Sequence, residues 1–265
     1  LTPIRLRFYL PDGKYQTIAV DSSVTVRDAF SSLKEVLGNS PLDGFAIYER
    51  LDNHEKALDF SEVIADSIVV FLNQETNQKI IDDLLLEVKF ENVQFVLKKR
   101  LFLNPNERPS TDIEETLLKG QALANIAAGL HPTTEDDIIR LAALSAQADY
   151  GDVNYDSEIN YDELARNFVP AALRTKEVIQ RIHEKHMEFL GMSPIQATNE
   201  IMVVVRGWKF YGTTIFEVGQ SYTKDIPTYC WLGISANEVS IINRDTKEAL
   251  VTFKAGDILN MSPSK

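Results

Sequence analysis

The sequence predicts an α+β chain of more than one domain. Three observations predict it. Apolar and polar residues alternate at period two in residues 1–72 and again from Thr213 onward, the pattern of half-buried strands. Between these stretches, from Ile113 to Arg206, apolar residues recur at three- and four-residue steps, the pattern of amphipathic helices. A length of 265 residues, 44% of them hydrophobic, is also more than one small core needs.

Residues 1–72 read as a β-grasp, or ubiquitin-like, unit. Ile4, Leu6, Phe8 and Leu10 alternate with Arg5, Arg7 and Tyr9, Pro11-Asp12-Gly13 makes a turn, and Tyr15 to Val20 is the returning strand. Thr25 caps a helix whose inner face is Val26, Ala29, Phe30, Leu33, Val36 and Leu37, and Gly38 ends it. FAIYER (45–50) and SIVVFL (67–72) supply further strands, and residues 73–87 are a connecting segment.

VQFVLKKRLFL (93–103) and the turn-rich NPNERPST lead into the helical region. Ile113, Leu117, Leu118, Leu123, Ile126 and Leu130 form one stripe. In the next helix Thr134 is the N-cap, with Asp137 at capping-box spacing. Ile138, Leu141, Leu144 and Ala148 are its buried stripe, Ala142, Ala143 and Ala146 let a neighbour approach closely, and Gly151 terminates it. Shorter helices at 162–168 and 175–190 complete a small bundle. Residues 201–205 (IMVVV) have strand propensity, but Ser193-Pro194 is a strong helix start, and a helix is expected there.

From Thr213 five strands are expected: TIFEV (214–218), CWLGIS (230–235), VSIIN (239–243), ALVTF (249–253) and DILNM (257–261). Five strands without a closing element leave one apolar face uncovered, so the domain is expected to continue past Lys265.

The formal charge of −12 is unevenly spread. Residues 1–87 hold 8 basic and 15 acidic side chains, 88–191 hold 12 and 17, and 192–265 hold 7 of each. Nucleic acid, which needs a basic surface, is disfavoured. No apolar run reaches 18 residues, and the opening LTPIRLRFYL lacks signal-peptide architecture. The single Cys230 has no internal disulfide partner, which fits a reducing compartment.

Asp152 to Glu163 can be counted as a calcium loop, with Asp152, Asn154, Asp156 and Glu163 at ligand positions. Ser157 stands where the sharp turn needs glycine and no second loop exists, so a polar interhelical loop is the better reading. His183 and His186 are one residue too close for the zinc-protease helix and lack a third ligand, and a solvated helix face is expected there. Lys98, Lys99 and Arg100 form the one dense basic cluster, a patch for anionic lipid or an acidic partner if it is not simply a solvated strand edge. There is no glycine-rich phosphate loop, no G-x-S-x-G and no Cys/His pairing, so neither catalysis, a cofactor nor a metal is expected.

The order of a ubiquitin-like unit, a helical bundle and a β-unit resembles a FERM domain. The resemblance is carried by Gly129-Leu130-His131-Pro132, Leu141-Ala142-Ala143-Leu144, Ala146-Gln147 and Tyr150-Gly151-Asp152. Phe168-Val169-Pro170, His186, Gly191, Ser193, Ala197 and Tyr211-Gly212 add to it. TIAVDSSVTVRDAF (17–30), FAIYERL (45–51) and KKRLFLNP (98–105) look most like FERM modules of unconventional myosin tails, with talin second. The resemblance implies three lobes: ubiquitin-like at 1–87, an acyl-CoA-binding-protein-like four-helix bundle at 88–208, and an incomplete PH/PTB-like β-sandwich at 209–265.

It also implies a non-catalytic adaptor in the cytoplasm, at the cytoskeleton or membrane cortex. Its expected partners are receptor tails, cargo proteins or its own motor domain, with actin engaged indirectly and phosphoinositide contacted weakly. A regulatory lobe of a kinase or phosphatase is the other FERM setting. In related domains the third lobe adds an extended peptide to a sheet edge, and the matching edge here is Asp257, Ile258, Leu259, Asn260 and Met261.

Overall fold

Alternation at the N-terminus produces a mixed five-stranded sheet. The computed structural model describes residues 4–21, 23–51, 54–66, 93–104, 108–153, 159–221 and 223–259. Strands β1 (Ile4–Tyr9), β2 (Tyr15–Val20), β3 (Phe45–Leu51), β4 (His54–Ala57) and β5 (Val93–Lys99) lie in the order β2-β1-β5-β3-β4. Leu6, Phe8, Ile18, Phe95, Leu97 and Ile47 are buried on one face, together with Val26, Ala29 and Leu33 of helix α1 (Val26–Val36). Each such large side chain contributes about 1.5–3 kcal/mol when fully buried. Thr25 caps α1 as expected, and Asp28 closes a capping box with it.

Strand β5 corrects the expected boundary at residue 88. It is parallel to β1 and antiparallel to β3, in the middle of the first sheet. The run VQFVL has the near-continuous apolar character of a strand covered on both sides, with Val93, Phe95, Val96 and Leu97 all buried. Residues 67–72 and 73–87, expected as a strand and a connection, lie outside the described residues.

The helices are α2 (Asp112–Ala127), α3 (Glu135–Tyr150), α4 (Tyr161–Phe168), α5 (Lys176–Met187) and α6 (Pro194–Arg206). Leu123, Ile126, Leu141, Leu144, Ile182 and Ile201 form their common core. Ala142, Ala143 and Ala146 are fully buried, as small residues at close helix contacts should be. Residues 201–205 are helical: Ser193 and Gln196 close a capping box, Pro194 opens the helix, and Ile201, Met202 and Val205 face the core. Tertiary burial here overrides β propensity.

The chain divides into two compact units, residues 1–100 with 109–121, and residues 101–108 with 122–265. The second unit also holds an antiparallel sheet of β6 (Thr214–Gly219), β7 (Tyr229–Ile234), β8 (Glu238–Ile242) and β9 (Ala249–Lys254), in sequential order. Four of the five expected strands are present. The fifth, expected at 257–261, is not a strand over its described residues 257–259: Asp257 closes a 3-10 turn (Ala255–Asp257) and Ile258 donates back to Ala255 at 3.3 Å, while 260–261 lie outside the described residues.

Candidate binding surfaces

The register of the second sheet sorts its residues onto two faces of different character. Trp231 lies opposite Ile242, and Gly233 opposite both Ile215 and Ser240. This face is packed: Trp231 and Ile242 form a cluster with Phe210, against which Leu130 and Ile215 lie. A Cβ at Gly233 would come within 2.8 Å of Ile242 Cδ1 and 2.9 Å of Thr213 Cγ2, so those side chains would have to shift to admit one. Lys247, in the β8–β9 turn with φ +60°, sets its ammonium 3.7 Å from the centre of the Trp231 ring.

The opposite face carries Phe216, Leu232, Ile234, Val239, Ile241 and Phe253, paired across all four strands. None of these six is fully buried, and Phe216, Ile234 and Phe253 are 39%, 39% and 48% exposed. An apolar surface this continuous is the character of an interaction site, and β6 and β9 are its outer strands among the described residues. The edge expected at Asp257, Ile258, Leu259, Asn260 and Met261 moves to β9. Beyond Lys254 the backbone turns, with Ala255 donating to the Asn237 carbonyl at 2.8 Å, and Leu259 is 97% exposed.

Lys98, Lys99 and Arg100 do not form one patch. Successive strand residues point to opposite faces. Lys98 meets Glu55 at 2.6 Å on the outer face of the first sheet. Lys99 pairs with Glu114 at 2.9 Å and lies near the Phe45 ring on the other side. Burial pushes Glu55 up, but Lys98 and Arg50 more than offset it and hold the carboxyl below its ordinary range. Arg100 donates its backbone N–H to Gly44 at 2.8 Å, and its charge acts on Tyr48.

The described ends of the acidic loop serve the helices. Asp152 Oδ1 accepts from Gln147 Nε2 and from the Gly191 N–H, both at 2.8 Å, and these bonds lower its pKa. Asn160 caps α4 through the Glu163 N–H at 3.1 Å. Asn154, Asp156 and Ser157 lie outside the described residues.

The histidine pair is corrected: His186 is buried, not on a solvated face. Its Nε2 is 2.9 Å from the Gly151 carbonyl and its Nδ1 is 2.7 Å from Tyr161 Oη. A carbonyl only accepts, so Nε2 carries the proton and Nδ1 accepts from the tyrosine. Burial lowers its pKa, and both ring nitrogens are committed to the fold. His183 instead packs edge-on against Tyr161 at 5.0 Å.

Sequence reasoning did not single out a group of buried polar atoms in the second unit. His131 Nδ1, Trp231 Nε1, and Arg206 Nε and Nη2 are all buried without a hydrogen-bond partner among the described residues. His131 packs on Trp208 at 5.1 Å, and burial lowers its pKa to about 4. No periodicity signals this, because His131 sits in a loop.

Comparison with known proteins agrees with this geometry. Residues 105–216 match the model of the FERM central domain, and residues 2–101 that of an RA-like domain. Talin of Oscarella pearsei is 26% identical over 96% of the chain, which covers 10% of that protein. Myosin-VIIa of Drosophila melanogaster is 23% identical over 98% of the chain, which covers 12% of that protein. The chain thus spans only about a tenth of these relatives. Among solved structures, the Dictyostelium discoideum myosin VII MyTH4-FERM MF1 domain superposes with a TM-score of 0.75 at 18% identity, over 99% of this chain and 53% of that one. The human Myosin 7b C-terminal MyTH4-FERM domain, solved in complex with the harmonin-a PDZ3 domain, gives 0.69 at 20% identity, over 100% and 54%. The chain has the FERM fold, its middle is a FERM central domain, and talin and myosin VII are among its relatives.

Proposed function

We propose that this FERM chain is a non-catalytic protein-binding module linking an actin-based motor tail to membrane or cargo proteins. The observation that carries the reading is the β6–β9 sheet, with its half-exposed apolar face and with β9 as its outer strand among the described residues. A partner docking there buries Phe216, Ile234 and Phe253, large apolar side chains of the kind that anchor interfaces. The structurally similar Myosin 7b domain is solved in complex with the harmonin-a PDZ3 domain, and a folded domain of that kind is the first class of partner to expect. Receptor tails and the protein's own motor domain are further partners, with actin engaged indirectly. Such a module works in the cytoplasm at the cytoskeleton or membrane cortex. Among the described residues no helix is long and apolar enough to cross a membrane.

A second reading, a talin-like adhesion adaptor, is favoured by the talin similarity across nearly the whole chain. The two differ in partner. A motor-tail module takes a folded cargo domain, whereas an adhesion adaptor takes an extended receptor tail along a strand edge.

Calorimetry of the chain against a panel of purified PDZ-type domains and receptor-tail peptides tests this. At least one partner is expected to bind, and the double variant Phe216→Asp/Phe253→Asp is expected to weaken it by about tenfold or more with unchanged near-ultraviolet dichroism. Silence across the panel from a folded chain, or undiminished binding by the variant, would overturn the reading.

A further inference from the structure

We infer that the turn after α6, which begins at Arg206, is a binding site for a carboxylate. Arg206 closes α6, and the chain then winds tightly, with Trp208 donating to Val205 and Tyr211 to Trp208, both at 3.1 Å. Around this short turn gather buried groups that the fold leaves unpaired. His131 stacks on Trp208, and Trp231 packs with Phe210. His131 and Trp231 are 7% and 5% exposed, yet His131 Nδ1 and Trp231 Nε1 have no partner among the described residues. Arg206 Nε and Nη2 are buried and unpaired in the same sense. The site is separate from the half-exposed apolar face, because Trp231 belongs to the packed face of the β6–β9 sheet.

The chemistry of these atoms selects the ligand. An indole N–H only donates, and so does a guanidinium, so the group they call for is an acceptor. Nε and Nη2 form the edge of a guanidinium that takes both oxygens of one carboxylate in a plane. Water satisfies an indole or an imidazole, but it does not neutralise a buried cation, whose desolvation is the larger cost. Lys247 nearby is already engaged, by the Trp231 ring and by the Arg244 carbonyl. His131 adds no charge at neutral pH, since burial lowers its pKa to about 4. One cation with unpaired donors matches the single charge of a carboxylate, whereas a phosphate near −2 leaves an excess buried. Gly207 and Lys209, on either side of Trp208, are exposed, so a small ligand reaches the fork after side-chain rotation.

The chain's two tryptophans, Trp208 and Trp231, both stand at this site, so its own fluorescence reports occupancy. Titration of the whole chain with sodium acetate at neutral pH, with ionic strength held by sodium chloride, is the direct test. A saturable change is expected at millimolar acetate, the range open to a ligand of so few atoms. A short peptide with blocked ends and one glutamate separates the two sources of a carboxylate. Binding tighter than acetate assigns a polypeptide ligand, and weaker binding assigns a free acid. Arg206→Lys keeps the charge and loses the fork, and is expected to bind acetate at least about tenfold more weakly with unchanged far-ultraviolet dichroism. Arg206→Gln has no pairing to lose, so its urea midpoint without acetate is expected to equal or exceed the parent's. A clear fall in that midpoint would mean that Arg206 is already paired, and would overturn the site. So would a parent that ignores acetate, a chloride response of the same size, a folded Arg206→Lys variant that binds like the parent, or inorganic phosphate bound more tightly than acetate.

Discussion

His131 illustrates what a single buried ring does to stability. It is 7% exposed, lies on Trp208 and has no partner for Nδ1 among the described residues. Desolvation disfavours its charged form and lowers its pKa from 6.5 to about 4. Between those values the unfolded chain binds a proton that the folded chain refuses, so stability rises with pH. The stability is intact above about pH 6.5 and is lost as pH falls toward 4, by about 3 kcal/mol at most. Urea midpoints from pH 7 to pH 4.5 check this. His131→Phe, which keeps a ring on Trp208, is expected to flatten the slope relative to the parent, and equal slopes would refute it. His186 is spared such a cost in part, since the fold supplies a donor and an acceptor for its two nitrogens.

At the scale of elements, Gly120 shows how one helix is fitted to one turn. Glycine in a helix interior normally costs up to about 1 kcal/mol relative to alanine. Here a Cβ would stand 2.7 Å from the Asp12 backbone nitrogen and 2.9 Å from the Pro11 carbonyl carbon, so α2 runs against the β1–β2 turn. Gly120→Ala is therefore expected to reverse the usual sign and destabilise by about 1–3 kcal/mol, measured as a fall in urea midpoint. An unchanged or raised midpoint would show that the turn yields.

The N-caps at Thr25, Thr134 and Ser193 were readable in the sequence because each is written within four residues. The strands of the second sheet were readable as far as Lys254, because alternation and turn residues are local too. Three features were not. The seat of β5 between β1 and β3 is a pairing at long range, and its apolar run fits several places. The splitting of Lys98 from Lys99 needed the strand to be placed before its alternation meant anything. Ile258 and Leu259 copied a strand pattern, while the 3-10 turn at 255–257 had already taken the chain off the sheet.

For the whole molecule, net charge and the apolar sheet face oppose each other. At neutral pH a formal charge of −12 keeps copies apart. Near the isoelectric point of about 4.9 that repulsion vanishes, while Phe216, Ile234 and Phe253 stay 39–48% exposed. Exposed apolar faces then find one another. Light scattering is expected to show a monomer at pH 8 and association near pH 5. The same pH range weakens the fold through His131, so association could arise from opened chains instead of the native face. The two causes separate by variant. If the native face is responsible, Phe216→Asp/Phe253→Asp stays dispersed near pH 5 while His131→Phe associates like the parent. If opening is responsible, the order is reversed. A chain that remains monomeric at pH 5 in every form would mean that the apolar face is too small or too scattered to hold two copies together. The protein-binding role assigned to that face would then need a partner that supplies most of the contact energy itself.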